Sequence, residues 1–90
     1  MDDYDYSIDV KRTVVDSIAD ILLIRPEAVI GEKTLASLGA DSLDVIEIEM
    51  EIEKRLGFKD GLFVSDALKL DMTIDEIIAK AVNIYGEFVN

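Results

Sequence analysis

Ser42 is the residue best placed to do chemistry, because it follows Asp41 and precedes Asp44 at the start of a helical pattern. A serine hydroxyl could act as a nucleophile or accept a covalent modification. Hydrolytic chemistry needs a base, and the chain has no histidine to activate the serine and no Gly-x-Ser-x-Gly elbow. The chain also has no cysteine, which excludes a thiolate nucleophile and a Cys-based metal site. In an arbitrary protein, a serine here is a cap or first-turn residue.

The segment that must position Ser42 runs from residue 42 to residue 56, and its pattern is ambiguous. Residues 46–53 alternate isoleucine or methionine with glutamate, which is typical of a strand. Glutamate and methionine favour helices, however, and fifteen residues exceed the usual strand length. Asp41 suits a helix N-cap and Gly57 suits a helix end. We therefore predict a helix.

On a helical wheel this segment has two apolar faces. The expected core face consists of Val45, Ile48, Ile52 and Leu56. The opposite face consists of Leu43, Ile46 and Met50, which we call the apolar stripe. Its edges are acidic: Asp44, Glu47 and Glu51 on one side, and Glu49 and Glu53 on the other. Two interpretations remain open: an exposed strip that binds partners transiently, or a stripe whose first residues pack under the preceding loop.

The remaining elements predict a small all-α bundle with three longer helices and one short helix. We expect a helix over residues 7–23 that begins at Ser7 and is ended by Pro26. Its apolar face is predicted as Ile8, Val15, Ile18 and Leu22, with Val14 and Ile21 at its edge. Next comes a long loop over 25–41, which we expect its apolar residues to pin to the core. We then expect a short helix over 65–70 and a last helix that begins with a Thr73/Glu76 capping box. Residues 1–90 read as one domain with a flexible leader at 1–6.

The composition constrains the partners. The chain carries 20 acidic and 9 basic residues, for a net charge of −11. This charge disfavours nucleic acid and anionic membranes and favours proteins with basic patches. No EF-hand spacing, apolar signal core or membrane-spanning run is present, so we expect a cytoplasmic protein with no metal site.

The residues around Ser42 resemble the phosphopantetheine attachment motif of acyl carrier proteins. The segment Leu38–Asp44 reads Leu-Gly-Ala-Asp-Ser-Leu-Asp, and its Leu-Gly-x-Asp-Ser-Leu core is specific. Residues 24–29, Leu35, the acidic helix and the last capped helix are also similar to the family. Two departures are Ser37, where the family often has an acid, and residues 56–63, which lack the usual acidic stretch with Ile-Pro. These departures favour a carrier dedicated to a particular pathway.

The resemblance implies a four-helix bundle with a short third helix, and a carrier that is not an enzyme. A phosphopantetheinyl transferase (holo-acyl-carrier-protein synthase) would attach 4'-phosphopantetheine covalently to Ser42, supplying the Mg²⁺ and the catalysis. The thiol of this arm would hold acyl groups as thioesters. Acyl-processing enzymes with basic docking patches would recognise a surface made of Asp41, Leu43, Asp44, Ile46, Glu47, Met50 and Glu53. Ile48, Ile52 and Leu68 are candidates to shield the acyl chain, and we expect a monomer.

Two function classes stay open. The first is a carrier in fatty acid or in specialised lipid or polyketide synthesis; a peptidyl carrier fits less well, since those relatives more often have glycine before the serine. The second is an unmodified acidic adaptor that binds a partner through the Leu43, Ile46 and Met50 face. They differ in whether Ser42 is modified.

Overall fold

The structure, a computed structural model, describes residues 6–57 and 68–89. Over that part the fold is all-α, as the sequence predicts. Its elements in chain order are α1 (Ser7–Leu22), 3₁₀ turns at Pro26–Ala28 and Ala36–Leu38, α2 (Ser42–Leu56) and α3 (Ile74–Val89). No helix in the described ranges is long and apolar enough to cross a membrane.

Two predicted features fall at the edges of the described ranges. Of the short helix expected over 65–70, residues 65–67 lie outside the described ranges. Residues 68–70 lie within them and are not helical. Three α-helices are therefore seen in the described ranges, where the sequence predicted four over the whole chain. Of the leader predicted over 1–6, residues 1–5 lie outside the described ranges, and Tyr6 is the one residue within them. Tyr6 packs edge-on against Tyr85, with ring centroids 5.2 Å apart.

Helix α1 packs against both α2 and α3, so its buried surface is wide. Val10, Val14 and Ile18 are fully buried, at four-residue spacing. The predicted face was wrong at Ile8, which is exposed. The buried face of α1 differs from the predicted stripe because α1 packs against two helices, which bury a wider arc of its surface than one apolar stripe covers.

The end of α1 also differs from the prediction. The helix stops at Leu22, and Leu23 adopts a left-handed conformation with φ 59°. The amide of Ile24 then donates to the Ala19 carbonyl at 3.0 Å, which closes the end of the helix. Leu23 is 89% exposed, so its side chain makes little packing contribution.

The long loop between α1 and α2 is pinned to the core, as expected. Leu35 is completely buried, and the Thr34 backbone pairs with that of Thr73 in an isolated antiparallel bridge. The amide of Ile74 donates to the Lys33 carbonyl at 2.8 Å. The loop that precedes Ser42 is therefore fixed to the segment that begins α3.

Both predicted capping motifs are confirmed. In front of α3, the Glu76 amide donates to the Thr73 hydroxyl at 3.1 Å, and the Thr73 amide donates to Glu76 Oε1 at 2.9 Å. At the C-terminal end of α2, Gly57 has φ 78°, a conformation that glycine adopts without a steric cost. Helix α2 therefore begins and ends where local chemistry predicts.

Arg55, near the end of α2, joins this helix to α1. Its guanidinium contacts Asp20 and donates to Glu51 Oε2 at 2.7 Å. The hydrogen bond to Asp20, followed by that to Glu51, raises the pKa of Arg55 above its ordinary value. Because the group is largely solvated, this pair adds little to stability.

Candidate functional site

Ser42 is the first residue of α2 and is exposed. Asp41 occupies the N-cap, where its Oδ1 accepts from the Asp44 amide at 2.9 Å. Asp44 Oδ2 in turn accepts from the Asp41 amide at 3.0 Å. This reciprocal box fixes the backbone on both sides of Ser42 and leaves its hydroxyl accessible.

The electrostatic surroundings of Ser42 combine opposite effects. The two carboxylates of the capping box flank it with negative charge. The first-turn amides, including those of Ser42 and Leu43, form the positive end of the helix dipole. A helix start of this kind accommodates an anionic group well. Among the described residues, no group of histidine, cysteine and acidic side chains is arranged to hold a metal ion.

A cleft of about 300 Å³ opens beside Ser42. One wall is the start of α2 and the other is the Leu68–Leu70 segment. The described residues that line it are Ser42, Val45, Ile46, Glu49, Leu68, Lys69 and Leu70. The cleft gives the hydroxyl a neighbouring, partly apolar groove that could receive part of an attached group.

The far wall of the cleft is held by hydrogen bonds at both ends. The Leu68 amide donates to Glu49 Oε2 at 3.1 Å. The Ala36 amide donates to the Leu70 carbonyl at 2.9 Å. The segment is thus tied both to α2 and to the loop that leads into Ser42.

The structure decides between the two interpretations of the apolar stripe. Leu43, Ile46 and Met50 are 62%, 52% and 62% exposed. They do not pack under the preceding loop. On the predicted core face, Val45, Ile48 and Ile52 are buried. Helix α2 therefore presents a contiguous apolar strip to solvent.

The acidic residues around the stripe differ in exposure. Asp41 and Glu47 are exposed, and Asp44 is half-buried in the capping box. Glu53, by contrast, is only 7% exposed and does not share this surface. A helical wheel places Glu53 near Ile46, but a wheel shows only one helix and therefore could not predict this burial.

Sequence reasoning also missed Lys69 and Leu70 as neighbours of Ser42. They lie more than twenty-five positions away in the chain, yet line the same cleft. No local pattern signals this proximity, because it depends on the Ala36–Leu70 backbone hydrogen bond. Of the residues proposed to shield an acyl chain, Leu68 lines the cleft, whereas Ile48 and Ile52 lie in the closed core.

Comparison with known proteins places these features in a family. The family model described as "Phosphopantetheine attachment site" matches residues 12–81. The acyl carrier protein of Campylobacter hominis is 40% identical over 53 residues, covering 58% of this chain and 67% of that protein. The acyl carrier protein of Amoebophilus asiaticus is 45% identical over 47 residues, covering 51% of this chain and 59% of that protein. No solved structure gives a significant match.

Proposed function

Because the chain belongs to the acyl carrier protein family and its prosthetic group is covalent 4'-phosphopantetheine, we propose that Ser42 is the attachment residue and that the protein carries acyl groups between enzymes. The observation that carries this proposal is the placement of Ser42. It is exposed at the capped start of α2, beside the cleft and within the Leu38–Asp44 motif. The chain is then a carrier and not an enzyme.

The residues around Ser42 suit the arm. Its phosphodiester would lie by the positive end of α2, and the cleft is open to the groups that follow. When bound, the arm supplies a terminal thiol that holds an acyl group as a thioester. The chain itself contains no cysteine, so thioester chemistry depends on this added thiol.

Attachment is the work of a partner enzyme, a phosphopantetheinyl transferase. A bond forms between Ser42 Oγ and the phosphorus of coenzyme A that bears the pantetheine. The pyrophosphate bond to the nucleotide breaks, and 3',5'-ADP leaves. The serine proton passes to a base of the transferase, which also supplies Mg²⁺. Ser42 needs only to be reachable, which agrees with the absence of histidine from the chain.

The partner surface in this proposal consists of six residues on and before α2: Asp41, Leu43, Asp44, Ile46, Glu47 and Met50. The apolar stripe supplies contact area, and methionine adapts to different partners. Acyl-processing enzymes with basic patches would be steered by the carboxylates and by the net charge of −11. The buried Glu53 is not part of this surface.

The same proposal includes the details that the family resemblance implies. These are a four-helix bundle completed by a short third helix, a single carrier domain, a monomer and a cytoplasmic location. Of the residues proposed to shelter the acyl chain, Leu68 is the one beside Ser42. Ile48 and Ile52 would contact it only if the core opened. The departures at Ser37 and residues 56–63 favour a specialised lipid or polyketide pathway over general fatty acid synthesis.

The test is intact-mass measurement after incubation with coenzyme A, Mg²⁺ and a broad-specificity phosphopantetheinyl transferase. We expect a gain of one phosphopantetheinyl unit. Ser42→Ala should abolish it, whereas Ser37→Ala, at another exposed serine, should retain it. A gain that survives in Ser42→Ala would place the arm elsewhere. No gain with several transferases would overturn the assignment of Ser42.

The second candidate function is an unmodified adaptor, which the exposed stripe favours. An adaptor would bind its partner through Leu43, Ile46 and Met50 whether or not Ser42 is modified. Calorimetry can distinguish the adaptor from the carrier by comparing partner binding of Ser42→Ala with that of the wild-type apo and loaded forms. Equal affinity for all three supports the adaptor, whereas acyl transfer that requires the loaded form supports the carrier.

A further inference from the structure

The cleft beside Ser42 has an uneven distribution of charge. Its α2 wall contributes Glu49, and the capping carboxylates of Asp41 and Asp44 flank Ser42 itself. On the opposite wall, Lys69 is the sole basic side chain among the described residues that line the cleft. Among the described residues, a phosphodiester joined to Ser42 would therefore have several negative charges around it and the single positive charge of Lys69.

The backbone of Lys69 is held in place. Its carbonyl accepts from the Met72 amide at 3.1 Å, and its neighbours are tied to Glu49 on one side and Ala36 on the other. Glu49 thus uses one carboxylate oxygen to position the backbone next to Lys69. The position of the lysine relative to α2 is set by these bonds and not by its own side chain.

The side chain of Lys69 remains available. It is exposed, and it makes no ion pair with the residues that the structure describes. A lysine ammonium on its flexible four-carbon stem is a mobile point charge with three donors, suited to a phosphate oxygen. In a chain with 20 acidic residues, an ammonium without a carboxylate partner beside Ser42 lacks a role in the described fold.

We propose that Lys69 pairs with the phosphodiester of the arm on Ser42 and directs the arm along the cleft between α2 and the Leu68–Leu70 segment. This inference rests on the proposed function, because it requires the arm to be on Ser42. Lys69 is a positioning residue here: it offsets the repulsion between the new anion and the carboxylates of Asp41 and Asp44. It takes no part in the attachment chemistry.

The test compares apo and loaded forms of four proteins: wild type, Lys69→Gln, Lys69→Arg and the matched control Lys80→Gln, an exposed lysine on α3 that does not line this cleft. Intact mass first establishes loading at Ser42. Thermal unfolding at low and high salt then gives the change in Tm on loading, and ³¹P NMR gives the phosphodiester shift. All four apo forms should unfold similarly, because the substituted side chains are exposed.

At low salt, we expect the change in Tm on loading to be about 2–5 °C more negative in Lys69→Gln than in wild type. The difference should shrink at high salt, where screening shortens to roughly 3–4 Å. Lys69→Arg should behave as wild type in Tm, and Lys80→Gln should match wild type in both readouts. The ³¹P resonance should differ from that of wild type in Lys69→Gln but not in Lys80→Gln.

Two results overturn the inference while the proposed function stands. The first is a loaded Lys69→Gln with the wild-type Tm change and ³¹P shift. The second is an equal effect in Lys80→Gln, which would reflect net charge and not position. If wild type gains no arm at Ser42, the proposed function fails and this inference falls with it.

Discussion

Helices α2 and α3 begin with the same capping motif, but their first residues have different environments. Each is closed by a reciprocal capping box, Asp41 with Asp44 in one and Thr73 with Glu76 in the other. The first helical residue is the exposed Ser42 in α2 and the fully buried Ile74 in α3. A capping box therefore determines where a helix begins, and the tertiary contacts of the next residue determine whether that residue packs in the core or is exposed to solvent.

The two starts also differ in how far other parts of the chain cover them, although both have acidic side chains. The α2 start has two carboxylates beside Ser42, whereas the α3 start is tied by backbone bonds to the loop at Lys33 and Gly31. The first arrangement keeps the hydroxyl in solvent, next to a cleft. The second covers the helix start with chain. Substitutions at the two starts should separate stability from function.

The largest expected contrast is between Ile74→Ala and Ser42→Ala. Removing the buried Ile74 side chain should lower the free energy of unfolding by about 2–5 kcal/mol. Ser42→Ala should change it by less than about 0.5 kcal/mol, because the side chain is exposed. Urea unfolding followed by circular dichroism measures both. Similar losses would mean that the two starts are not used differently.

The caps themselves should have intermediate effects. Asp41→Ala and Thr73→Ala each remove a side-chain acceptor and should cost about 1 kcal/mol in unfolding free energy. Asp41→Asn sharpens the comparison, because asparagine is also a good N-cap but lacks the charge. It should retain stability in the same urea experiment. If Asp41→Asn is as unstable as Asp41→Ala, the charge and not the hydrogen bond stabilises this start.

The smallest expected effect lies at the helix ends, where Leu23 and Gly57 both have positive φ. Leu23→Gly should raise the free energy of unfolding by roughly 0.5–1 kcal/mol, because glycine adopts this conformation freely and little packing is lost. Gly57→Ala should lower it by about 1 kcal/mol, although a Cβ there meets no atom of the described residues within 4 Å. A destabilised Leu23→Gly, measured by thermal unfolding, would show that Leu23 makes contacts that its exposure does not reveal.

Local sequence predicted the helices better than their surroundings. The Thr73/Glu76 capping box, the Asp41 N-cap, Gly57 and the composition of residues 42–56 predicted α2 and α3 correctly, because caps and propensities act over a few residues. The face of α1 was wrong at Ile8, since packing against two helices is not encoded in one periodic stripe. The end of α1 was also misplaced, because Leu23 adopts an unfavourable conformation that propensity argues against.

The sequence by itself determined the family, the motif around Ser42, the acidic character and the presence of a second apolar face on α2. These properties follow from residue identities and short spacings. Only the tertiary structure decided that the apolar stripe is exposed, that Glu53 is buried, and that Lys69 lies across a cleft from Ser42. Each of these depends on which distant segments pack together. Such contacts are set by the summed burial and backbone hydrogen bonding of the whole chain, which no local pattern reports.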